Sequence, residues 1–366
     1  MLSNAEGAIK VINLETLEQE ASDKIDKGAF GYVQGGAEDE LTLRANIESF
    51  NKKQIIPNGL TGLDGADTTV TFLGAELASP IIIAPMAAHG LLHEVADKAT
   101  ITGAGKARTM MGVSTYASVM LDQISAASPD TPWFFQLYMS RDNGFNEHMI
   151  SKAIKAGAKA IVLTIDAGVP GNRESDKKNN YNYSMATPNV AEYYEGKSIT
   201  HSEARAMRKI SFTAEDIQYI KSISGGLPVF VKGIQAPEAA EVAVQAGADG
   251  IWVSSHGGRQ MDGSPSSFDM LPLIAKQVNK RVPIIFDSGI RRGSHVFKAL
   301  ASGADIIAVG RPVLYGLILG GSEGVKAVFD QLNYELHTTM ILAGKKNIDE
   351  VKATQLFDVA TQQIEK

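Results

Sequence analysis

Short runs of apolar, β-branched residues recur along the chain from about residue 80 and alternate with longer amphipathic stretches. Runs of about 6–8 residues have the length of strands that are buried on both faces. Stretches such as 146–158, 236–248 and 292–304 have the spacing of helices that lie between these strands. Eight strand–helix units in succession predict a (β/α)8 TIM barrel of the α/β class. The eight runs are PIIIAPMA, MMGVSTY, PWFFQLY, AIVLTID, PVFVKGI, GIWVSSH, VPIIFDSG and DIIAVGR.

A repeated junction supports this strand count. The segments AIKAGAKAIVLTID, AVQAGADGIWVSS and ALASGADIIAVGR each pass from a helical pattern through a small residue, glycine and alanine into a strand. Gly157, Gly247 and Gly303 are placed to end each helix in the left-handed conformation. The repeat therefore predicts tight turns that lead from helices into barrel strands.

Two segments lie outside this rhythm. Residues 1–79 form an N-terminal extension that we expect to pack on the barrel domain, residues 80–366. The extension contains a helical pattern at LETLEQEASDKI and a glycine-rich turn at GAFGYVQGGAEDE. Residues 167–212 are a long connection after the fourth strand, and such a connection is typical of a lid. Tyr181 and Tyr183 on this lid either contact substrate or pack the loop.

Composition restricts the partners of the protein. The 35 basic and 41 acidic residues give a net charge of −6, and the absence of a basic block argues against nucleic acid. The chain has no cysteine, which excludes disulfides and thiolate chemistry. The N-terminus lacks a signal-peptide core, and the apolar runs are shorter than the ~20 residues that span a bilayer. We therefore expect a soluble cytoplasmic protein with no membrane partner.

Polar residues gather at the ends of the apolar runs, where barrel enzymes carry their chemistry. The segments DSGIRRG and GADIIAVGRP place glycines and arginines after strands seven and eight, where this fold often binds phosphate. Arg291 and Arg311 supply charge, and Gly289, Gly293 and Gly310 allow close backbone approach. The other polar strand-end residues are Gln136, Tyr138, Thr164, Asp166, Lys232, Ser254, His256 and Asp287.

The most specific string is SSHGGRQMDG, which places His256 and Arg259 on a glycine-rich loop after strand six. A neutral histidine accepts a proton, and an arginine binds a carboxylate through two parallel hydrogen bonds. The segment TIDAGVPGNR adds Asp166, which can orient the imidazole, and Arg173. This set suits a small anionic substrate. A sugar-phosphate lyase or isomerase would share the phosphate site.

These motifs resemble the FMN-dependent α-hydroxy-acid oxidase family over nearly the whole chain, most strongly in GIWVSSHGGRQ and FDSGIRRGSHVFKALASGADIIAVGRP. The resemblance implies FMN as cofactor and no metal. It implies that His256 is the catalytic base and that Asp166 and Tyr138 are catalytic residues that assist it. It also implies that Arg173, Arg259, Tyr32 and Tyr138 bind the substrate. The cofactor-binding residues that it implies are Ala84, Pro85, Met86, Ala87, Ser114, Gln136, Thr164, Lys232, Ser254, Asp287, Gly289, Arg291, Gly310 and Arg311.

The resemblance further implies oxidation of a short L-2-hydroxy acid by molecular oxygen, and assembly as a homotetramer. Tyr116 occupies a position that is tryptophan in glycolate oxidases and tyrosine in lactate oxidases, which favours L-lactate. A different substrate preference, a monooxygenase outcome and another electron acceptor remain open. A non-catalytic flavin protein is a further alternative. His89 and His93 have the i,i+4 spacing of metal ligands, but no third ligand lies nearby in the sequence.

Overall fold

Eight parallel strands form a closed barrel in this computed structural model, which describes residues 2–180, 187–195, 203 and 206–365. The last strand pairs with the first through Ile307 and Ile81, so the sheet has no free edge. All eight predicted strands and the predicted barrel are therefore confirmed. The barrel strands are Ile81–Met86, Met111–Ser114, Trp133–Leu137, Ile161–Thr164, Val229–Ile234, Gly250–Val253, Ile284–Phe286 and Ile306–Val309.

Helices surround the barrel and bury their apolar faces against its outer surface. Gly157, Gly247 and Gly303 each have a positive φ where a helix turns into a strand, as the repeated junction predicted. The helices after successive strands are His89–Leu92 and Asp97–Lys106, Leu121–Ala127, Asn143–Lys155, Ala214–Ile223, Pro237–Gln245, Ser267–Val278, Gly293–Ala301, and Arg311–Leu342. A final short helix is Ile348–Lys352.

The barrel interior is filled by side chains that alternate with the outward-facing ones along each strand. Trp252 and Phe134 are fully buried there, with ring centres 5.5 Å apart. A hairpin of strands Val70–Phe72 and Ala75–Leu77 packs against this interior core, and Phe72 lies against Phe230. The hairpin therefore caps the interior core, and the carboxyl ends of the strands lie at the other end of the barrel.

The remainder of the N-terminal segment is mainly helical. Its helices are Leu14–Ser22, Lys27–Gln34 and Leu41–Glu48, followed by the 3-10 turn Ser49–Lys52. The helix at Leu14–Ser22 agrees with the predicted pattern. The predicted glycine-rich turn at 28–40 is wrong in its first half, because Lys27–Gln34 is an α-helix. Asp26 begins this helix by accepting hydrogen bonds from the N–H groups of Gly28 and Ala29.

The connection after the fourth barrel strand carries two short helices, Glu174–Lys178 and Pro188–Tyr194. Its last part is attached to the end of the third strand, where the N–H of Arg141 donates to Met207 and that of Lys209 donates to Met139. Tyr181 and Tyr183 lie outside the described residues. A small antiparallel sheet joins Lys53–Gln54, Leu356–Asp358 and Gln363–Glu365. Within the described ranges, no helix combines the length and apolar character needed to cross a bilayer.

Candidate active site

A cleft opens at the carboxyl ends of the barrel strands. The predicted residues Asp166, Ser114, Gln136, Thr164 and Ser254 are buried or half-buried and do not line it. All the other predicted site residues except Gly293 do. They are Tyr32, Ala84, Pro85, Met86, Ala87, Tyr138, Arg173, Lys232, His256, Arg259, Asp287, Gly289, Arg291, Gly310 and Arg311.

His256 lies on the turn that follows the sixth barrel strand and has a positive φ of 54°. This backbone conformation is strained for a residue with a side chain, and such strain is common at functional sites. The N–H of His256 donates to Ser254 Oγ at 3.0 Å, which helps to hold the turn. The His256 Nδ1 lies 2.9 Å from Asp166 Oδ1. A proton on Nδ1 leaves Nε2 as the acceptor, at 3.4 Å from the Tyr138 hydroxyl.

The surroundings of His256 and Asp166 determine which of the two groups is charged at neutral pH. Burial lowers the pKa of His256 below its ordinary value, although Asp166 opposes the shift. Burial alone would raise the pKa of Asp166, but the charges of His256 and Lys232 outweigh it and lower this pKa. Burial and the nearby Asp166 raise the pKa of the Tyr138 phenol. At neutral pH the site therefore presents a neutral imidazole, an ionised carboxylate and a protonated phenol.

Two arginines flank the ring of Tyr32 beside this pair. The guanidinium carbons of Arg173 and Arg259 lie 5.4 and 5.1 Å from the centre of that ring. Arg259 also donates through Nη1 to the carbonyls of Tyr32 and Gly35 at 2.7 and 2.8 Å, at the end of helix Lys27–Gln34. Arg173 lies 3.2 Å from Asp176 through its Nε. The arrangement concentrates positive charge where an anionic substrate can enter.

A second cationic region lies after the seventh and eighth strands. Burial, together with the neighbouring Arg259 and Arg291, lowers the pKa of Arg311 to about 10. Gly289 and Gly310 line the cleft beside these arginines. A bound anion would relieve the mutual repulsion of the guanidinium groups, so this region suits a phosphate.

The prediction for Gly293 is wrong, because its N–H does not face the cleft. This N–H donates to Glu335 Oε2 at 2.8 Å. A Cβ at Gly293 would also lie 2.2 Å from the backbone nitrogen of Leu336. Gly293 therefore allows close packing on helix Arg311–Leu342 rather than anion binding.

Buried polar atoms at the strand ends indicate where a flavin ring could bind. Among the described residues, Gln136 Nε2 and Thr164 Oγ1 have no hydrogen-bond partner. Leaving such groups unsatisfied is costly. Lys232 lines the same cleft as the cationic region. Two unsatisfied polar groups, a cation and a phosphate-binding region together fit the ring and phosphate of FMN.

Sequence reasoning missed several residues of the cleft. Arg208 lines it, with its guanidinium 5.7 Å from the centre of the Tyr138 ring. Gln260 donates to the carbonyls of Asp166 and Val169 at 2.8 and 3.0 Å and thereby joins the loops that follow the fourth and sixth strands. Gln260 was visible in the string HGGRQ. Arg208 stands in a charged stretch of the lid that carries no distinguishing signal.

His89 and His93 have other contacts. His89 is fully buried, and its Nδ1 lies 2.9 Å from Thr100 Oγ1. His93 accepts a hydrogen bond from the N–H of Val95 and lies 2.9 Å from the carbonyl of Ala5 through Nε2. In the part of the chain that the structure describes, no cluster of three or more potential ligands could hold a metal ion. The two histidines therefore make structural contacts with other parts of the chain.

Comparison with known proteins adds an independent line of support. An L-lactate oxidase of Streptococcus iniae is 48% identical over 97% of this chain and 88% of its own length. A crystal structure provisionally named a lactate oxidase of Pediococcus acidilactici is also 48% identical, with a TM-score of 0.94 and 98% of each chain covered. A mandelate oxidase structure is 32% identical, with a TM-score of 0.86 over 94% of this chain and 97% of its own. The family model of FMN-dependent dehydrogenases matches residues 21–358, so the chain belongs to that family.

Proposed function

We propose that this protein oxidises L-lactate, or a similarly short L-2-hydroxy acid, to the 2-oxo acid and reduces oxygen to hydrogen peroxide. The observation that carries the proposal is the 2.9 Å contact between His256 and Asp166 beside two arginines in one cleft. The names of the lactate oxidases that the chain resembles support the same substrate.

His256 is the proton acceptor in this proposal. Asp166 orients the imidazole through Nδ1 and stabilises the imidazolium that forms, so Nε2 is available to the substrate. Nε2 takes a proton either from the substrate hydroxyl or from its Cα–H, and the same residues serve both routes. Tyr138 stays protonated and can donate its hydroxyl hydrogen to a substrate oxygen. Bound FMN would supply the redox chemistry, as the acceptor of two electrons from the substrate and their donor to oxygen.

Arg173 and Arg259 bind the substrate carboxylate, and both guanidinium groups lie close to the ring of Tyr32. The cofactor would be held by Ala84–Ala87, by the strand-end side chains Ser114, Gln136 and Thr164, and by Lys232. Its ribityl and phosphate groups would be held by Asp287, Gly289, Arg291, Gly310 and Arg311. Ser254 contributes indirectly, because its hydroxyl contacts Lys232, Asp287 and the N–H of His256.

A short substrate is favoured by the aromatic residues near the base. The Tyr116 and Tyr138 rings stack with centres 5.3 Å apart, and Tyr116 is 7% exposed. Stacked rings next to His256 restrict the space for a substrate side chain. We therefore expect L-lactate to be preferred over (S)-mandelate in kcat/KM.

An aerobic assay of product stoichiometry tests the proposal. L-Lactate should give pyruvate and hydrogen peroxide in a ratio near one, and D-lactate should give neither. Acetate and carbon dioxide in place of peroxide would indicate a monooxygenase. Pyruvate formed only with an added quinone or cytochrome would indicate a dehydrogenase. Either result would refute the oxidase assignment.

We further propose that the protein works in the cytoplasm as a homotetramer. Large apolar side chains at the surface support assembly, since Leu60 is 100% exposed and Leu342 is 64% exposed. The two belong to neighbouring segments, because the N–H of Asn58 donates to the carbonyl of Leu342.

A further inference from the structure

Trp252 is placed in the barrel interior but makes a polar contact with the active-site cleft. Its side chain is fully buried, and it is one of only two tryptophans in the chain. The indole N–H donates to Asp287 Oδ2 at 2.9 Å. An apolar interior needs no such donor, and phenylalanine would fill most of the same space. The hydrogen bond is therefore better explained by a role toward Asp287 and its neighbours than by packing in the barrel interior.

Asp287 is enclosed by donors. Its Oδ1 accepts hydrogen bonds from the hydroxyls of Ser254 and Ser288, each at 2.7 Å. Its Oδ2 accepts from Trp252 and lies 3.6 Å from the Nζ of Lys232. The indole N–H of Trp252 and the ammonium of Lys232 therefore both face Asp287 Oδ2, and the indole nitrogen is the closer of the two.

Lys232 lies beside Ser254, Asp287 and the ring of Trp252, whose centre is 5.9 Å from its Nζ. It is 4% exposed, lines the cleft, and donates to Ser254 Oγ at 3.0 Å. Its Nζ lies beyond hydrogen-bond distance from Asp287 Oδ2. In a low-dielectric site, a free carboxylate oxygen would attract the ammonium strongly. The indole N–H offsets part of the negative charge on that oxygen and weakens its attraction for the ammonium, which lines the cleft.

We propose that Trp252 is a positioning residue that keeps the charge of Lys232 available to the cofactor by donating a hydrogen bond to Asp287 Oδ2. This inference rests on the proposed function, in which FMN binds beside Lys232. Without the indole N–H, the ammonium should move toward Asp287 and withdraw from the flavin. Negative charge that develops on the ring would then be less stabilised.

The test uses the FMN-loaded enzyme and two readouts that do not depend on turnover. Sulfite adds to a flavin ring and leaves negative charge on it, so its Kd reports the nearby cation. For Trp252→Phe, we expect the sulfite Kd to rise about tenfold, as for the loss of a hydrogen bond to a charged group. The two-electron midpoint potential should become about 30 mV more negative, which corresponds to the same tenfold change in an equilibrium constant.

Trp133→Phe is the matched control. Trp133 is the other tryptophan, is 2% exposed and also lies on a barrel strand. Its variant should keep the wild-type sulfite Kd within twofold. A Trp252→Phe variant that melts earlier but keeps both wild-type values would show a packing role only and would overturn the inference.

A second variant covers the case in which Trp252→Phe does not fold. In the Trp133→Phe background, residue 252 is the only tryptophan, so replacing tryptophan with 3-benzothienylalanine exchanges the N–H for sulfur with little change in volume. A tenfold weaker sulfite affinity supports the inference, and an unchanged affinity overturns it. A wild-type protein that binds no FMN would refute the proposed function as well, which separates the two failures.

Discussion

His256 combines a defined tautomer, a lowered pKa and access to the cleft. Asp166 fixes the tautomer, burial lowers the pKa, and 22% of the imidazole side chain stays exposed to receive a substrate. For His256→Ala we expect kcat to fall by at least ~10²-fold, because positioned base catalysis is worth about 10²–10⁴ in rate. Steady-state kinetics with L-lactate measure this. An unchanged melting temperature would exclude unfolding, and a kcat within tenfold of wild type would refute the base assignment.

The pH dependence follows from the direction of the His256 shift. The neutral imidazole is the active form, and burial places its pKa below the ordinary value of 6.5. Activity in kcat/KM should therefore be level above about pH 6.5 and decline only as pH falls through the lowered pKa. Asp166→Asn removes the charge that raises the His256 pKa, so its acid limb should move to still lower pH while kcat falls. A limb that moves to higher pH would contradict this coupling.

The two arginines should differ when they are replaced. Loss of either should lower kcat/KM for L-lactate roughly 10–150-fold, because each charged hydrogen bond is worth about 1.5–3 kcal/mol. Arg259→Gln should in addition lower the melting temperature, since Arg259 binds the end of helix Lys27–Gln34. Arg173→Gln should affect stability less. Normal lactate binding in both variants would exclude a carboxylate clamp.

Polar residues at the ends of apolar strands predicted part of the cleft, such as His256 and Arg311, whereas Tyr32 and residues 84–87 were predicted only from the family resemblance. The sequence could not predict what Ser254 and Asp287 contact, because their partners come from other strands. Arg208 was not predicted, since its position depends on how the lid returns to the third strand. The distance between Trp252 and Asp287 is likewise set by strand register, with Trp252 opposite Ile285.

At the level of elements, the barrel strands were predictable because each is a short apolar run with distinct ends. Helix Lys27–Gln34 was not predictable in the same way, because its two glycines suggest a turn. Asp26 caps it, and buried Ala29 and Val33 stabilise it by packing. Tertiary contacts outweighed the local propensity of glycine here.

Gly171 lies where two loops of the candidate site pack closely against each other. A Cβ at this residue would lie 2.1 Å from the carbonyl oxygen of Arg259, which is backbone and cannot easily move. For Gly171→Ala we expect KM for L-lactate to rise about tenfold or more, because the loops that carry Arg173 and Arg259 must separate. Gly59→Ala is the control, since nothing lies within 4 Å of its added Cβ. Equal KM values in the two variants would contradict this view of the loops.

At the scale of the whole molecule, the barrel is capped by the hairpin Val70–Leu77 at one end and carries the cleft at the other. The sequence predicted an N-terminal extension but not this hairpin, because its strands are only three residues long. Leu60 and Leu342 are exposed in the single chain. If they lie at a subunit interface, Leu60→Asp with Leu342→Asp should convert a tetramer into smaller species in light scattering. A tetramer unchanged by both substitutions would refute that placement.

The bleaching of the yellow FMN absorbance by L-lactate without oxygen tests the central claim most directly. Rapid bleaching is expected in the wild-type protein, and a rate at least ~10²-fold lower is expected in His256→Ala with FMN still bound. A wild-type protein that binds FMN but is not bleached, or a variant bleached at the wild-type rate, would contradict it.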